Sequence, residues 1–224
     1  MPSAEQCDWE ALSTRLKVGA SQLELSIEDG QVKRLLAYLQ HLDRWNGVHN
    51  LSAWKNPLDF LIHHVFDSMT LLGPLERFAK GQPLRILDAG SGPGFPAAVL
   101  AVMLPAWSVT AIDAVAKKIS FIRQAAAESR IPNLSAVHVR LEDFAPSTPF
   151  DIVVSRAFAS LDTFAALTDH LLRPGGAWVA QKGRMPGEEI EQLREDFRVF
   201  HVEPVTVPGL DAKRHLIWMR RVDR

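Results

Sequence analysis

A glycine-rich turn is the part of the sequence whose residue types and spacing point most clearly to chemistry. Gly90, Gly92 and Gly94 lie between the apolar run 84–88, which predicts a strand, and the run 96–104, which predicts a helix. Glycines permit positive φ and let another group approach the backbone closely. Amide groups at a helix N-terminus carry partial positive charge that suits a carboxylate or phosphate. We therefore expect a ligand at this turn, outside the carboxyl ends of the strands.

Acidic residues follow two neighbouring strand-like runs and complete the predicted ligand site. Asp113 closes the run 108–113, where a carboxylate can accept hydrogen bonds from both hydroxyls of a ribose. Leu141 and Glu142 follow the run 134–140, where a backbone amide and a carboxylate can meet the edge of an adenine. Together with Asp88, which ends the first run, these elements predict a crevice shaped for an adenosine. Each element taken alone is equally compatible with an ordinary turn and a capping acid.

The spacing of the glycines separates two classes of nucleoside ligand. A dinucleotide site has the pattern G-x-G-x-x-G, whose third glycine would fall on Phe95 here. The G-x-G-x-G spacing with the preceding Asp88 instead resembles class I S-adenosylmethionine-dependent methyltransferases. An NAD-linked dehydrogenase stays open at this point, although the sequence contains no Tyr-x-x-x-Lys motif.

Six further segments narrow the resemblance to one family. They are 44–52 (RWNGVHNLS), 63–68 (HHVFDS), 92–96 (GPGFP), 155–159 (SRAFA), 181–183 (QKG) and 210–216 (LDAKRHL). Their order resembles the bacterial glucose-inhibited division protein B family, the small-subunit ribosomal RNA methyltransferase G, over about residues 35–219. The resemblance implies S-adenosylmethionine as the cofactor and transfer of its methyl group to N7 of one guanine in 16S RNA.

The resemblance also assigns residues to the cofactor. The implied contacts are Gly90, Phe95, Leu141, Glu142 and Arg156. Phe95 would supply an apolar wall, and Leu141 with Glu142 would meet the adenine edge. We add Gly92, from the glycine turn, and Asp113, from its place at a strand end.

Guanine N7 is a lone-pair nucleophile without a proton, so the implied reaction needs no general base. A group that hydrogen-bonds guanine O6, or stabilises the charge that moves onto the base, would assist. Arg156, at the end of the strand predicted at 150–155, and Lys182, at the end of a later strand, are the predicted catalytic residues. A simple surface arginine is the other interpretation of Arg156.

The charge balance predicts that any RNA-binding surface is local. The net charge is −1 and the isoelectric point is about 6.7, so bulk attraction to polyanions is not expected. The predicted RNA contacts are Lys117, Lys118, Arg123, Arg184, Lys213 and Arg214. Each of these side chains alone is more often a solvated surface charge, and only a cluster would make a binding patch.

The elements that must position these residues alternate between strands and helices from residue 84 onward. This alternation predicts an α/β fold with a mostly parallel, Rossmann-like sheet. Two final runs, 199–207 and 215–219, predict an antiparallel hairpin at the sheet edge. Residues 1–80 carry helical periodicity and are predicted to form a helical extension packed on the methyltransferase domain at 81–224.

Composition excludes several other classes of protein. The 224 residues are 47% hydrophobic, enough for a core without disulfides, and Cys7 is the single cysteine. The adjacent His63 and His64 are expected on different helix faces, so no metal site is predicted. No membrane-spanning run or secretory signal occurs, which favours the cytoplasm. Trp54, Trp107 and Trp218 are expected in the core, although an exposed one could stack on a base.

The substrate class is less constrained by these residues than the cofactor. The resemblance favours 16S ribosomal RNA within the small subunit or an assembly intermediate. The alternatives are methylation of a small molecule or protein, and a non-catalytic RNA- or adenosine-binding module.

Overall fold

A computed structural model describes residues 8–156 and 160–222, which form a seven-stranded sheet with helices on both faces. The strands are β1 (Arg85–Ala89), β2 (Ser108–Asp113), β3 (Leu134–His138), β4 (Phe150–Arg156), β5 (Leu172–Lys182), β6 (Phe197–Thr206) and β7 (Lys213–Arg221). The helices are α1 (Trp9–Gln22), α2 (Asp29–His49), α3 (Pro57–Phe60), α4 (Asp67–Met69), α5 (Leu72–Ala79), α6 (Ala97–Met103), α7 (Ala116–Glu128), α8 (Leu161–Thr168) and α9 (Gly187–Glu191). A π-helical segment, Leu61–Phe66, joins α3 to α4.

The strand order β3-β2-β1-β4-β5-β7-β6 confirms the predicted α/β class. Strands β1 to β5 are parallel, and β7 pairs antiparallel with both β5 and β6. The predicted hairpin is therefore confirmed, with β6 at the edge of the sheet. The order reverses between β1 and β4, and a ligand crevice is expected outside the carboxyl ends of the strands at such a point.

The N-terminal helices pack on the sheet through one continuous core. Buried side chains from α1 and α2, such as Leu16 and Leu39, belong to the same cluster as Leu100 of α6 and Ile122 of α7. The phenol of Tyr38 in α2 donates a hydrogen bond of 3.0 Å to the carbonyl of Pro93. The helical extension thus contacts the glycine turn directly.

Tyr38 also explains why one of the three glycines is needed. Gly94 has φ of +86°, and a Cβ built on it would lie 2.2 Å from the Tyr38 hydroxyl. Any side chain at this position would be strained by the backbone conformation and would collide with the buried tyrosine. Gly94 therefore serves the packing of α2 against the turn.

Several local expectations change in the structure. The sequence predicts a helix over about residues 187–197, but this helix ends at Glu191 and β6 begins at Phe197 itself. Residues 26–29 (SIED) predict a capping box before α2, but the side chain that bonds back is Gln31, whose Oε1 accepts from the amide of Glu28 at 2.9 Å. No helix in the two described ranges combines the length and hydropathy that a bilayer crossing requires.

The expectation for the three tryptophans is right for two of them. Trp107 and Trp218 are buried, whereas Trp54 is 39% exposed. Trp54 lies in the loop between α2 and α3, outside the hydrophobic core, and it faces a cavity described below.

Candidate functional site

The acid at the end of β1 organises the glycine turn from inside the protein. Asp88 is fully buried, and its Oδ2 accepts a hydrogen bond of 3.0 Å from the amide of Ala97, at the start of α6. Its Oδ1 has no hydrogen-bond partner within the described chain. Burial raises the pKa of Asp88 to about 7, and the guanidinium of Arg156 acts in the opposite direction. The carboxyl group therefore titrates near neutral pH.

The acid at the end of β2 ties the glycine turn to the neighbouring strand. Asp113 Oδ2 accepts from the amide of Gly92 at 3.0 Å and from Lys118 Nζ at 3.2 Å. Its Oδ1 accepts from the amide of Val115 at 2.8 Å. A carboxylate has four lone-pair sites, so these three bonds leave one, on Oδ1, for a ribose hydroxyl. The predicted ribose contact is compatible with this geometry and stays a prediction.

The turn has room for a ligand beside Gly92. A Cβ built on this residue meets no protein atom within 4 Å, and its φ is +58°. Gly90 has φ of +72°, so both glycines adopt a conformation that side chains rarely take. An adenosine-type cofactor is compatible with this open, backbone-lined turn.

The predicted adenine contacts lie in a short 3₁₀ segment, Leu141–Asp143, that follows β3. Leu141 is buried, whereas Glu142 is exposed. Phe95, the predicted apolar wall, is buried between two other rings. Its centroid lies 5.5 Å from Tyr38, edge to face, and 4.8 Å from His64, stacked. A contact between the Phe95 ring and the cofactor stays a prediction.

Arg156, at the end of β4, is held by three acceptors from the helical extension. Its Nη1 donates to the carbonyl of His63 at 2.7 Å and to Asp67 Oδ2 at 3.3 Å, and its Nη2 donates to His64 Nδ1 at 3.0 Å. The side chain is 19% exposed. Arg156 is therefore bonded within the protein, and its predicted catalytic role stays a prediction. Of the segment 155–159, residues Ala157–Ala159 lie outside the described residues.

The tautomer of His64 follows from its partners. An arginine can only donate, so His64 Nδ1 is the acceptor and Nε2 carries the proton. This Nε2 lies 2.8 Å from Ser52 Oγ. Burial lowers the pKa of His64 to about 3, and the charge of Arg156 adds to the effect. His64 is therefore neutral at physiological pH.

The π-helical segment brings both histidines to one cavity, which sequence reasoning did not predict. The His63 ring stacks on Trp54 with centroids 3.5 Å apart and planes 2° apart, while His64 contacts Ser52 and Arg156. The two side chains have different partners, as expected of neighbours on a helix. Both nevertheless line the same cavity.

Asp67 was missed entirely by the sequence analysis. Its carboxylate is 5% exposed; Oδ1 accepts from Arg214 Nε at 3.0 Å and Oδ2 accepts from Arg156. Its carbonyl accepts from Gln181 Nε2 at 2.7 Å. Asp67 thus connects α4 with strands β4, β5 and β7. The signal available was its place in the segment 63–68, but no spacing rule links it to two distant arginines.

A cavity of about 410 Å³ opens beside Arg156, between the sheet and the helical extension. The cavity is lined by Trp54, His63, His64, Asp67, Arg156, Gln181, Lys182, Gly183 and Arg214. We call it the β4–β5 cavity. Lys182, at the end of β5, reaches it with Nζ bonded to Glu189 at 2.8 Å and 3.0 Å. Both predicted catalytic residues therefore face one space.

The loop that carries Trp54 is held by a residue of the segment 44–52. Asn46 is buried; its Nδ2 donates to the carbonyl of Trp54 at 2.7 Å and its Oδ1 accepts from the amide of Ser52 at 2.8 Å. Trp45, by contrast, packs edge to face on Phe121 with a centroid distance of 5.7 Å. The segment therefore holds a loop at the cavity.

The predicted RNA contacts fall into two groups. On α7, Lys117 Nζ donates to the carbonyl of His49 at 2.8 Å and Arg123 Nε donates to that of Ala136 at 2.9 Å, while Lys118 bonds to Asp113. Beside the β4–β5 cavity lie Arg184, Lys213 and Arg214, of which the first two are exposed. No group of three histidine, cysteine or acidic side chains suited to a metal occurs within the part of the chain that the structure describes.

The chain has the Rossmann-like fold of class I S-adenosylmethionine-dependent methyltransferases, and its glycine turn has their G-x-G-x-G spacing. The N-methyltransferase NodS from Bradyrhizobium japonicum, solved with S-adenosyl-L-homocysteine, superposes with a TM-score of 0.56 at 17% identity, covering 81% of this chain and all of that one. The ribosomal protein L11 methylase from Lactobacillus delbrueckii subsp. bulgaricus superposes with a TM-score of 0.54 at 18% identity, over 69% of this chain and 78% of that chain.

Sequence comparison identifies the family within this class. The family model GidB, described as rRNA small subunit methyltransferase G, matches residues 31–217. Ribosomal RNA small subunit methyltransferase G from Leptothrix cholodnii is 49% identical over 92% of this chain and 94% of its own length. The protein of the same name from Bordetella avium is 46% identical over 94% of both chains. The chain belongs to the GidB family.

Proposed function

We propose that this protein transfers the methyl group of S-adenosylmethionine to N7 of one guanine in 16S ribosomal RNA. The observation that carries the proposal is the family match, which runs from α2 to β7 and includes both the glycine turn and the β4–β5 cavity. Arg156 lies at the strand end between these two regions. A methyl donor at the turn and a base in the cavity would meet beside it.

The cofactor supplies a methyl group already activated on a sulfonium, and the protein binds and orients it. Gly90 and Gly92 let it approach the backbone, and Asp113 accepts from a ribose hydroxyl. Leu141 and Glu142 meet its adenine, and Phe95 contributes apolar surface. Arg156 completes the set of proposed cofactor contacts. The open space beside Gly92 supports this arrangement.

For the chemical step, the protein must align N7, the methyl carbon and the sulfur. Positioning of this kind can supply roughly 7–11 kcal/mol of the barrier reduction. Arg156 uses three N–H groups in the bonds described above. An arginine has five such groups, so two remain to donate to guanine O6 or to the cofactor. Lys182 acts from the next strand as a second cation beside the base.

Cations around the cavity would hold the RNA backbone. Arg184, Lys213 and Arg214 lie next to the proposed base site, and Lys117, Lys118 and Arg123 extend the surface along α7. Each phosphate contact releases counterions, so binding should weaken as salt rises.

We extend the proposal to the setting of the reaction. The substrate is 16S RNA within the small ribosomal subunit or an assembly intermediate, in the cytoplasm, without a metal ion or a membrane. We also assign residues 1–80 to a helical region and residues 81–224 to the methyltransferase domain on which it packs. The shared hydrophobic core of α1, α2, α6 and α7 supports the packing of the two regions on each other.

The decisive experiment maps 7-methylguanine in 16S RNA by chemical strand scission. RNA is compared from cells with the gene, without it, and complemented with the Arg156→Ala variant. We expect one cleavage band that disappears on deletion and returns only with the wild-type gene. Identical bands in the presence and absence of the gene would refute the assigned base and nitrogen.

A further inference from the structure

The β4–β5 cavity contains an aromatic surface that the proposed chemistry has not yet used. Trp54 and His63 stack with parallel planes, and both rings line the cavity. Trp54 is 39% exposed although tryptophan is usually well buried. Burial lowers the pKa of His63, with its arginine neighbours adding to the effect, so its ring favours the neutral state. The pair therefore presents a flat, uncharged face.

The rest of the lining is polar and positive. Arg156, Lys182 and Arg214 contribute three cations, and Asp67 holds two of them. Guanine presents O6 as an acceptor on the same edge as N7. A cavity of about 410 Å³ lies within the size range of small-ligand pockets. Flat aromatic surface combined with hydrogen-bond donors matches a purine base better than an aliphatic or peptide group.

A hydrogen-bond chain links the aromatic pair to Arg156. The amide of Trp54 donates to Ser52 Oγ at 3.2 Å, Ser52 Oγ lies 2.8 Å from His64 Nε2, and Arg156 donates to His64 Nδ1 at 3.0 Å. Because His64 is neutral, its Nε2–H donates to Ser52. The position of the Trp54 loop is therefore set relative to the arginine at the end of β4.

We propose that Trp54 and His63 form the surface on which the target guanine stacks after leaving its RNA stack. The inference rests on the proposed function and deepens it by assigning the base its site. Enzymes that act on a base commonly take it out of the helical stack and hold it against aromatic side chains. In this protein the base would enter the β4–β5 cavity with N7 toward Arg156 and the glycine turn.

The test compares three variants with wild type in methyl transfer to purified small ribosomal subunits. We expect Trp54→Ala to lower kcat/KM about 10-fold, since loss of one stacking contact has an effect of this size. Trp54→Phe, which keeps a flat ring, should restore most of the activity. Phe200→Ala is the matched control: Phe200 is 41% exposed on β6 and is not among the residues lining the cavity. It should leave transfer unchanged.

Calorimetry with S-adenosylmethionine alone separates the base site from the cofactor site. The affinity should be equal in wild type and Trp54→Ala, and thermal unfolding checks that the variant is folded. Unchanged kcat/KM in Trp54→Ala, a parallel loss of cofactor affinity, or failure of Trp54→Phe to restore transfer would each overturn the inference. If Trp54→Ala does not fold, His63→Ala takes its place. Absence of transfer by the wild-type protein would instead refute the proposed function, and the inference with it.

Discussion

The glycine turn and the β4–β5 cavity are neighbours along the carboxyl edge of the sheet, and they are built in opposite ways. The glycine turn takes its residues from a short stretch of chain, between β1 and the start of α7, and uses backbone amides to hold Asp88 and Asp113. The β4–β5 cavity takes its residues from positions 54 to 214 and relies on side-chain contacts. The glycine turn can be recognised in the sequence as a motif, whereas the β4–β5 cavity forms only when segments that are distant in the chain come together.

The two regions also differ in charge. Carboxylates dominate the glycine turn, and the nearest cation is Lys118 on Asp113. Cations dominate the cavity, and Asp67 and Glu189 compensate part of that charge. Arg156 lies where the regions meet and influences Asp88 electrostatically. The carboxylates of the glycine turn would attract a positively charged sulfonium, and the cations of the cavity would attract a nucleic acid.

The largest effect should come from Arg156, which serves both regions. Replacing it with alanine should reduce methyl transfer about 100-fold or more, because a charged donor beside the reacting base is lost. Lys182→Ala should reduce transfer less, since Glu189 already holds that cation. Single-turnover transfer to small ribosomal subunits measures both effects, and thermal unfolding should change less than activity. Wild-type rates in these variants would remove the two residues from the catalytic set.

Asp113→Ala should affect the glycine turn, which we assign to the cofactor, and leave the β4–β5 cavity intact. Loss of the acceptor for a ribose hydroxyl should weaken S-adenosylmethionine binding about 10-fold or more, because one hydrogen bond to a charged group contributes roughly 1.5–3 kcal/mol. Calorimetry gives the dissociation constant directly. The Lys118→Ala variant is the control, because it removes the cation bonded to Asp113 and keeps the carboxylate. Equal affinity in wild type and Asp113→Ala would show that Asp113 is not the ribose acceptor.

Asp88→Asn, a substitution beside the glycine turn, should alter how the free energy of unfolding depends on pH. The pKa of Asp88 is about 7 in the folded protein, against an ordinary value of 3.8 for an aspartate side chain. The folded state therefore binds an extra proton between these values, and this stabilisation, roughly a few kcal/mol, is lost as the pH rises from about 4 to about 7.

The measurement is the free energy of unfolding by urea across this pH range. The wild-type value minus the Asp88→Asn value should fall steadily as the pH rises, because asparagine keeps the acceptor for Ala97 and does not titrate. Taking the difference removes the opposite contribution of His64, whose depressed pKa lowers stability in acid. A constant difference would contradict a raised pKa.

The smallest effects are expected for the basic residues, and they should differ between the group beside the β4–β5 cavity and the group on α7. Neutralising Arg184 and Lys213 by glutamine should weaken RNA binding a few-fold and reduce the steepness of its salt dependence. The same change at Lys117 and Arg123 should matter less, because their side chains are already bonded to backbone carbonyls of this chain. Filter binding over a range of salt compares the pairs. A larger loss of RNA affinity for the Lys117 and Arg123 pair would indicate that the RNA binds along α7.

Most elements could be predicted because their signals are local. Alternating apolar runs predicted strands β1 to β5 and the final hairpin within a few residues. Asn56 followed by Pro57 is a pattern that predicts the start of a helix, and the Asn56 side chain accepts from the amide of Asp59 at 2.9 Å at the start of α3. The helix predicted to run to Phe197 was too long, because Phe197 belongs to the edge strand β6 and pairs with β7.

The cavity could not be predicted in the same way. The role of Asp67 depends on two arginines that lie 89 and 147 residues away in the chain. The exposure of Trp54 depends on Asn46, which holds its loop away from the core through two hydrogen bonds. Neither arrangement has a periodicity or a spacing that a sequence displays.

The sequence by itself determined the α/β class, the glycine turn and the family resemblance, because backbone conformation and amphipathic periodicity depend on neighbours along the chain. Only the tertiary structure decided that His63, His64, Asp67 and Trp54 surround Arg156. Contacts of this kind arise when the reversal of strand order and the packing of the helical extension bring separate segments together. The physical reason is that side-chain hydrogen bonds and ring stacking depend on distances in space, which the order of residues does not specify.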